Sequence, residues 1–170
     1  KHISEKYWTY LCSNCVKYLK HRNGNNFKSK FQNIKNLTLY GRNIKNEKFT
    51  VKATNAESIN VDLQFHNVNA TLEMSNGDVV KVSSLDGETV NDDIKLYNNV
   101  KLRSNEGHEV LTDEVNINRI SQDLRCNKEV QVHSKYGEIT ANGCLVNKGK
   151  KVIKFDRGVR TVIDDGVVQQ

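Results

Sequence analysis

DIKLYNNVKLRSNEGHEVLTDEVNIN, residues 93–118, is the stretch of sequence that decides the fold. Apolar and polar side chains alternate along its first half, apart from an interruption at residues 98–99. A two-residue period is typical of a β-strand with one buried face. Residues 105–107 then predict a turn, because Gly tolerates positive φ, and alternation resumes with Val115 and Ile117. The stretch therefore predicts a β-hairpin with one apolar and one charged face.

This hairpin recurs along the chain. Gly77, Gly107 and Gly137 follow one another at intervals of 30 residues, and the strand pattern around residues 46–51 extends the series backwards. Asn76-Gly77 is a strong hairpin signal. The dipeptides Asp-Gly at 86–87, Asn-Gly at 142–143 and Lys-Gly at 148–149 predict further breaks. Such units bury their apolar faces only by stacking on one another. The sequence therefore predicts an all-β fold, a twisted open jelly roll of antiparallel strands arranged as a V.

Composition agrees with a thin, open structure. Apolar residues make up 36% of the 170 residues, aromatic residues 7%, and there is no Pro. The net charge of +6 is uneven, because residues 1–48 carry eleven Lys or Arg against two Glu, and the remainder is slightly acidic. Basic character is thus a property of the N-terminal segment, and the β-region is close to neutral.

The N-terminal segment is predicted to differ from the rest of the chain. Apolar spacing over residues 1–20 predicts a short helix, and the Asn-rich stretch after it predicts a linker. The helix packs as an ordinary amphipathic element, lies on a membrane surface, where Lys and aromatic residues mix, or forms the tail of an anchor or a loose extension. We therefore divide the chain into a basic helix and linker at 1–33, following a removed membrane anchor in one interpretation, and a jelly-roll domain at 34–165.

The cysteines indicate packing more than chemistry. Cys12 and Cys15 form a single C-x-x-C with no second pair at metal spacing, so no metal site is predicted. Cys126 and Cys144 lie in strand-like segments, and the sequence allows a disulfide between them in an oxidising compartment.

The histidines and carboxylates form no catalytic motif. No H-E-x-x-H, G-x-S-x-G or phosphate-binding loop occurs, and no catalytic residue or cofactor is predicted. His66 and His108 are expected to face solvent, and parity counting places Asp113 on the inward face.

The inward positions are mainly short aliphatic side chains. They either fill a closed sandwich or, in an open V, line a trough suited to acyl chains. The predicted lining residues are Val51, Leu63, Val68, Leu72, Val82, Leu96, Val100, Leu102, Val115, Ile117, Val130, Val132, Ile139 and Phe155.

Several segments, in order, resemble the LptC family of lipopolysaccharide-export proteins. LYNNVKL at 96–102, followed by EGHEVLT at 106–112, is similar to that family's L-x-G-N-V and d-G-x-x-l-x-T run. FTVKATNA at 49–56 resembles its early strand, GEITANG at 137–143 its G-x-l-x-A-x-G run, and VIKF at 152–155 its final strand. The resemblance covers about 34–163, with Asn98 standing where the family often has Gly.

The resemblance implies a single-pass inner-membrane protein whose periplasmic head is a jelly roll, without its anchor in this chain. Such heads accept lipopolysaccharide from the ATP-driven transporter of LptB, LptF and LptG and pass it to the periplasmic bridge LptA. The expected partner edge is Val159, Thr161 and Ile163 on the bridge side, with 37–40 facing the transporter. A soluble, LptA-like bridge protein is the nearest alternative.

Two further classes compete with lipid transport. A β-solenoid adhesin or enzyme would also show a repeat, but with parallel coils instead of hairpins. Nucleic-acid binding is suggested by aromatic residues interleaved with Lys and Arg, yet the near-neutral β-region argues against it. The aromatic residues concerned are Tyr7, Trp8, Tyr10, Tyr18, Phe27 and Phe31.

Overall fold

The computed structural model describes residues 9–11, 33–42, 46–59, 62–90, 93–118, 121, 123–147 and 152–164. Within these residues the chain forms one 13-stranded sheet in which every pairing is antiparallel. The all-β prediction is confirmed, and the antiparallel pairing excludes a parallel solenoid for the described part. The strands are β1 (Thr9–Leu11), β2 (Ile34–Arg42), β3 (Lys48–Ile59), β4 (Asp62–Glu73), β5 (Val79–Val90), β6 (Asp93–Ser104), β7 (Glu109–Asn118), β8 (Leu124–Cys126), β9 (Val130–Ser134), β10 (Gly137–Ala141), β11 (Gly143–Asn147), β12 (Val152–Asp156) and β13 (Arg160–Ile163).

The sheet is a simple ladder that forks at one strand. Strands β1 to β7 pair in chain order. The first half of β7 pairs with β9, which leads to β10 and β13, whereas its second half pairs with β8, which leads to β11 and β12. One sheet therefore divides into two at β7.

A line of bends crosses the ladder and explains the fork. Asn36, Asn67, Asn98 and Asn99 have positive φ values of 53°, 52°, 62° and 59° inside strands β2, β4 and β6. Asn is one of the few residues that tolerates the left-handed region. The pairing register also shifts between β5 and β6 and between β6 and β7 at this level. We call this line of bends the crease.

The crease divides the sheet into two limbs. Limb I comprises β8, β11, β12 and residues 34–35, 55–59, 62–66, 86–90, 93–97 and 114–118. Limb II comprises β1, β9, β10, β13 and residues 37–42, 48–53, 68–73, 79–84, 100–104 and 109–112. The creased, antiparallel sheet confirms the predicted open jelly roll.

The buried core follows the inner side of the crease. Val100 and Val130 of limb II and Val115 of limb I are 0% exposed. Side chains on both limbs share this burial, so the limbs pack against each other where they meet. We call this buried layer the apex; it consists of Leu37, Ala53, Ala56, Phe65, Val68, Leu96, Val100, Val115, Cys126, Val130, Ala141 and Cys144.

The glycine repeat is confirmed as a set of hairpin turns, with one correction. Gly77 and Gly107 have positive φ in the turns between paired strands, and Gly137, also with positive φ, begins β10 directly after the turn from β9. The predicted break at 86–87 is wrong, because both residues lie inside β5. Gly87 leaves room for the Leu96 side chain on the neighbouring strand, because a Cβ atom at residue 87 would lie 2.9 Å from Leu96 Cδ2. The predicted break at 142–143 is confirmed, because β10 ends at Ala141 and β11 begins at Gly143, where the chain crosses the crease.

Little of the N-terminal prediction can be compared with the structure. Thr9–Leu11, within the predicted helix, form β1 and pair with β2. The rest of residues 1–20 and most of the linker lie outside the described residues, as does the break at 148–149. The described part of the chain has no helical segment with the length and apolarity that a bilayer crossing requires.

Candidate functional site

The inner face of limb II carries a continuous row of aliphatic side chains above the apex. Each member lies directly opposite the next across neighbouring strands, on the parity that the buried residues use. Most are half-buried and pack against the apex. The row is Leu39, Val51, Ala70, Val82, Leu102, Val110, Val132 and Ile139.

Limb I carries the matching row. Ile94, Ile117, Leu124, Val146 and Ile153 lie opposite one another from β6 to β12. The first three pack against the apex, whereas Ile153 on the edge strand is 60% exposed. We call the two rows the walls and the space above the apex, between the walls, the groove. The groove is therefore apolar on both sides.

The predicted lining residues fall into two layers. Val68, Leu96, Val100, Val115 and Val130 belong to the apex, where they are buried by other side chains of the protein. Val51, Val82, Leu102, Ile117, Val132 and Ile139 belong to the walls, and Leu63 and Phe155 pack on the apex beside them. Leu72 lies one row farther from the crease, opposite Val80. The structure thus divides one predicted set into a floor and walls.

Sequence reasoning missed about half of the wall residues. Ile94, Leu124 and Ile153 share the parity of the predicted Leu96, Val130 and Phe155, so alternation alone carried the signal for them. The register shift at the crease puts Val110 on the opposite parity to Val115, and the places of Leu39 and Val146 follow only from their register with Val51 and Leu124. Ala70 is small, and its place in the row follows only from its register with Val51 and Val82.

Polar groups near the apex are satisfied by short hydrogen bonds. The buried Thr112 hydroxyl donates to the Glu129 carbonyl at 2.7 Å, and the Ser84 hydroxyl donates to the Asp86 carbonyl at 2.9 Å. A buried hydroxyl with a partner does not carry the penalty of an unsatisfied group. Neither residue therefore makes the floor of the groove polar.

The outer side of the crease is polar and hydrogen-bonded. His66 Nδ1 lies 2.7 Å from Asp86 Oδ1, and Asn98 Nδ2 donates to Asp86 Oδ2 at 2.8 Å. The Asn98 hydrogen bond, followed by that of His66, lowers the pKa of Asp86 from its usual value. His66, predicted to face solvent, is 45% exposed and held in this pair. These contacts fix the left-handed Asn98 in place.

The same bend corrects the prediction for Asp113. Parity counting from Val115 places this carboxylate inward, yet it is exposed, and its neighbour Thr112 is the buried residue. The register shift between the β6 pairs at Tyr97 and Val100 moves the parity by one residue at the crease.

Cys126 and Cys144 form a disulfide across β8 and β11, with their Cα atoms 4.8 Å apart. Both are buried in the apex of limb I. The bond that the sequence left open is therefore present, and it joins two short strands beyond the fork.

The sheet ends in exposed apolar strands on the C-terminal side. Every residue of β13 is exposed, including Thr161 and Ile163, and Val159 just before it is 51% exposed. Within the described residues β13 pairs only with β10, so one side of its backbone has no strand partner. On the N-terminal side, β1 already pairs with Thr38–Tyr40 of β2.

The fold and its apolar inner face define an open antiparallel jelly roll with an aliphatic groove. The family model for LptC-related lipopolysaccharide-assembly proteins matches residues 12–164, and the chain therefore belongs to the LptC family. The predicted resemblance is confirmed, and with it a role in lipopolysaccharide export as a transport component. Proteins of this family are anchored in the inner membrane with a periplasmic domain. No curated protein matches the chain.

Proposed function

We propose that the chain holds the acyl chains of lipopolysaccharide in the groove and passes them from an inner-membrane transporter to a periplasmic bridge. The observation that carries this proposal is the pair of aliphatic walls above a filled apex. Because the apex is buried, the acyl chain lies above it and contacts wall residues such as Leu102 and Ile117. Val100, Val115 and Val130 support the floor without touching lipid.

The energy available from such a groove is sufficient for binding without chemistry. Each buried methylene is worth about 0.8 kcal/mol, so an acyl chain of about 14 carbons gains roughly 10 kcal/mol before costs. Sugars and phosphates stay in water, because the walls offer them no polar partners. Transfer then needs only a continuous apolar path into the neighbouring protein.

A matched pair of lysine substitutions tests the groove. Val132→Lys places a charge on the wall of β9, whereas Gln131→Lys places it one residue away on the outer face. Binding of fluorescent lipopolysaccharide to the purified chain is expected to fall at least tenfold for V132K and to stay within twofold for Q131K, since a buried charge is costly. Thermal unfolding confirms that both variants are folded. Equal affinity of the two variants contradicts the groove.

The edges of the sheet supply the proposed handover sites. On the bridge side, Val159, Thr161 and Ile163 lie along the edge strand β13, and LptA is the proposed partner. On the transporter side, LptB, LptF and LptG are the proposed partners. Residues 37–40 were expected to face the transporter, but β1 pairs with Thr38–Tyr40. We therefore propose β1 as the outer strand that meets the transporter. Edge strands pair readily with other sheets.

Deleting 156–170 tests the bridge-side edge. The deletion removes β13 and is expected to abolish co-purification with LptA, while lipopolysaccharide binding by the remaining walls persists. V162D, on the outer face of the same strand, serves as the control that keeps the backbone edge. Undiminished co-purification after the deletion rules this edge out.

The location that we propose for the jelly roll is the periplasmic side of the inner membrane, as part of a protein with a single-pass anchor. Family membership supports this placement.

A further inference from the structure

The outer faces of the two limbs, formed by side chains that point away from the groove, differ in charge. Cross-strand register places seven Lys and Arg side chains on the outer face of limb II, against the three carboxylates of Glu73, Glu109 and Glu138. The basic residues are Arg42, Lys48, Lys52, Lys81, Lys101, Arg103 and Arg160.

The outer face of limb I has the opposite balance. Four basic residues, Lys35, Lys95, Arg125 and Lys154, share it with seven carboxylates. The carboxylates are Glu57, Asp62, Asp86, Glu88, Asp93, Glu114 and Asp156. The charge asymmetry of the molecule is therefore spatial, although the β-region as a whole is close to neutral.

Few of the limb II cations are neutralised. Glu109 alone accepts both Arg103, at 2.6 Å, and Lys101, at 3.6 Å, which leaves an excess positive charge around it. Among the described residues, Lys52 and Lys81 take part in no ion pair, and both are exposed. Their charges are free to act on a partner.

A second basic region joins limb II at its edge. Residues 1–32 carry seven Lys or Arg against the single Glu5. The pairing of Thr9–Leu11 with Thr38–Tyr40 attaches part of this segment to β2 within limb II. Strand β1, which lies within this basic segment, therefore belongs to limb II.

We propose that the outer face of limb II docks on an anionic phospholipid bilayer surface. Neighbouring strands are about 4.8 Å apart, so the charges form a lattice on a broad sheet face that suits a flat surface. Anionic leaflets attract such clusters of Lys and Arg. Tyr40 is the one aromatic ring on this face within the described residues, whereas single-stranded nucleic acid requires stacking platforms.

This docking is independent of the groove and orients it. With limb II against the bilayer, the walls open away from the outer face that touches the headgroups, and limb I faces water. The acidic outer face of limb I opposes the reverse orientation, because like charges repel across a Debye length of about 8 Å.

Vesicle flotation with the full chain tests the docking. The probe is vesicles of phosphatidylethanolamine with phosphatidylglycerol, compared with phosphatidylcholine alone, without lipopolysaccharide. Two double variants carry the same change in net charge: K52E/K81E on limb II and R125E/K154E on limb I. All four residues are exposed, and thermal unfolding checks that both variants are folded.

The limb II variant is expected to bind anionic vesicles at least about tenfold more weakly, and the limb I variant within about twofold of the parent chain. Binding of the parent chain is expected to fall as salt is added. Equal weakening by both variants overturns the proposal, because net charge alone then explains attraction. Unchanged binding of K52E/K81E, or no preference of the parent chain for anionic vesicles, also overturns it, and the second result points to an acidic protein as partner. Neither outcome alters lipopolysaccharide binding in the groove, so the two proposals fail separately.

Discussion

Strands β2 to β7 and strands β8 to β13 cross the crease in different ways. From β2 to β7 each strand runs across the crease without stopping, and residues such as Asn36, Asn67 and Asn98 absorb the bend in left-handed conformations. From β8 to β13 the strands are short, because the chain leaves one strand at the crease and begins a new strand on the other limb. The first half is a single bent sheet, and the second half is two separate arms.

Because the two halves differ in this way, we expect stability to come from the continuous half and partner contact from the broken half. The continuous half carries extended backbone pairing on both limbs and most of the apex residues. The broken half carries the exposed edge strands β12 and β13 and holds one arm with a disulfide. A protein that must hand a ligand to a neighbour needs both a rigid frame and an available edge, and this sheet separates them.

The largest expected effect comes from emptying the apex of the continuous half. Leu96 is 4% exposed, and L96A is expected to lower the free energy of unfolding by about 2–5 kcal/mol through lost burial and a cavity. I163A, on an edge strand that is 69% exposed at this residue, is expected to change it by less than about 0.5 kcal/mol. Urea unfolding measures both, and similar losses would show that the two halves contribute equally.

The disulfide is expected to matter locally in the broken half. It closes a loop between residues 18 positions apart, and losing such a link costs about 3 kcal/mol. β8 is joined to β7 by only two register pairs, whereas β9 is joined by four. In C126A/C144A, hydrogen exchange is expected to accelerate in β8 and β11 and to change little in β9 and β10. Uniform acceleration across both arms would contradict this separation.

The left-handed asparagines are expected to carry a smaller effect each. N98V forces a β-branched residue to φ near 62° and removes the hydrogen bond to Asp86. N98G loses the same hydrogen bond but adopts positive φ freely. N98V is therefore expected to be less stable than N98G by roughly 1–2 kcal/mol in urea unfolding. The reverse order would mean that the bend is not set at Asn98.

Acid is expected to have the smallest effect, acting through the outer side of the crease. Asn98 and His66 hold the pKa of Asp86 below its usual 3.8. A carboxylate with a lowered folded pKa adds stability above its unfolded pKa, and that stability is lost as the pH falls through the folded value. D86N is thus less stable than the parent chain at pH 7, and the difference shrinks below about pH 4.

The control for the acid experiment is Glu109, whose pKa the Arg103 hydrogen bond also lowers. The difference in stability between E109Q, on limb II, and the parent chain is also expected to shrink at low pH. E109Q is not expected to alter hydrogen exchange at the crease. A stability gap for D86N that stays constant from pH 7 to pH 2 would remove Asp86 from this role.

The alternation of side chains was enough to predict strands, hairpin turns and the polarity of each face. Val115 and Ile117 lie inward as expected, and Gly77 and Gly107 form turns with φ of 89° and 87°. These features are local, so a short window of sequence contains the information. The resemblance at 96–112 added the family from the same local residues.

The crease and the fork were not predictable in the same way. Asp113 was placed inward because parity was counted through a register shift that only the paired strands reveal. Gly87 was interpreted as a break, although it makes room for Leu96 on the neighbouring strand. The division into floor and walls depends on contacts between limbs, and residues such as Val100 and Leu102 look alike in sequence.

Photo-crosslinking along β6 tests most directly whether lipopolysaccharide lies between the walls. A photoreactive residue is placed in turn at Leu102 on the wall, at the adjacent outer Arg103, and at the enclosed Val100. Strong labelling of lipopolysaccharide from position 102, with little from 103 or 100, is the predicted result. Equal labelling from 102 and 103 would contradict an acyl chain held inside the creased sheet.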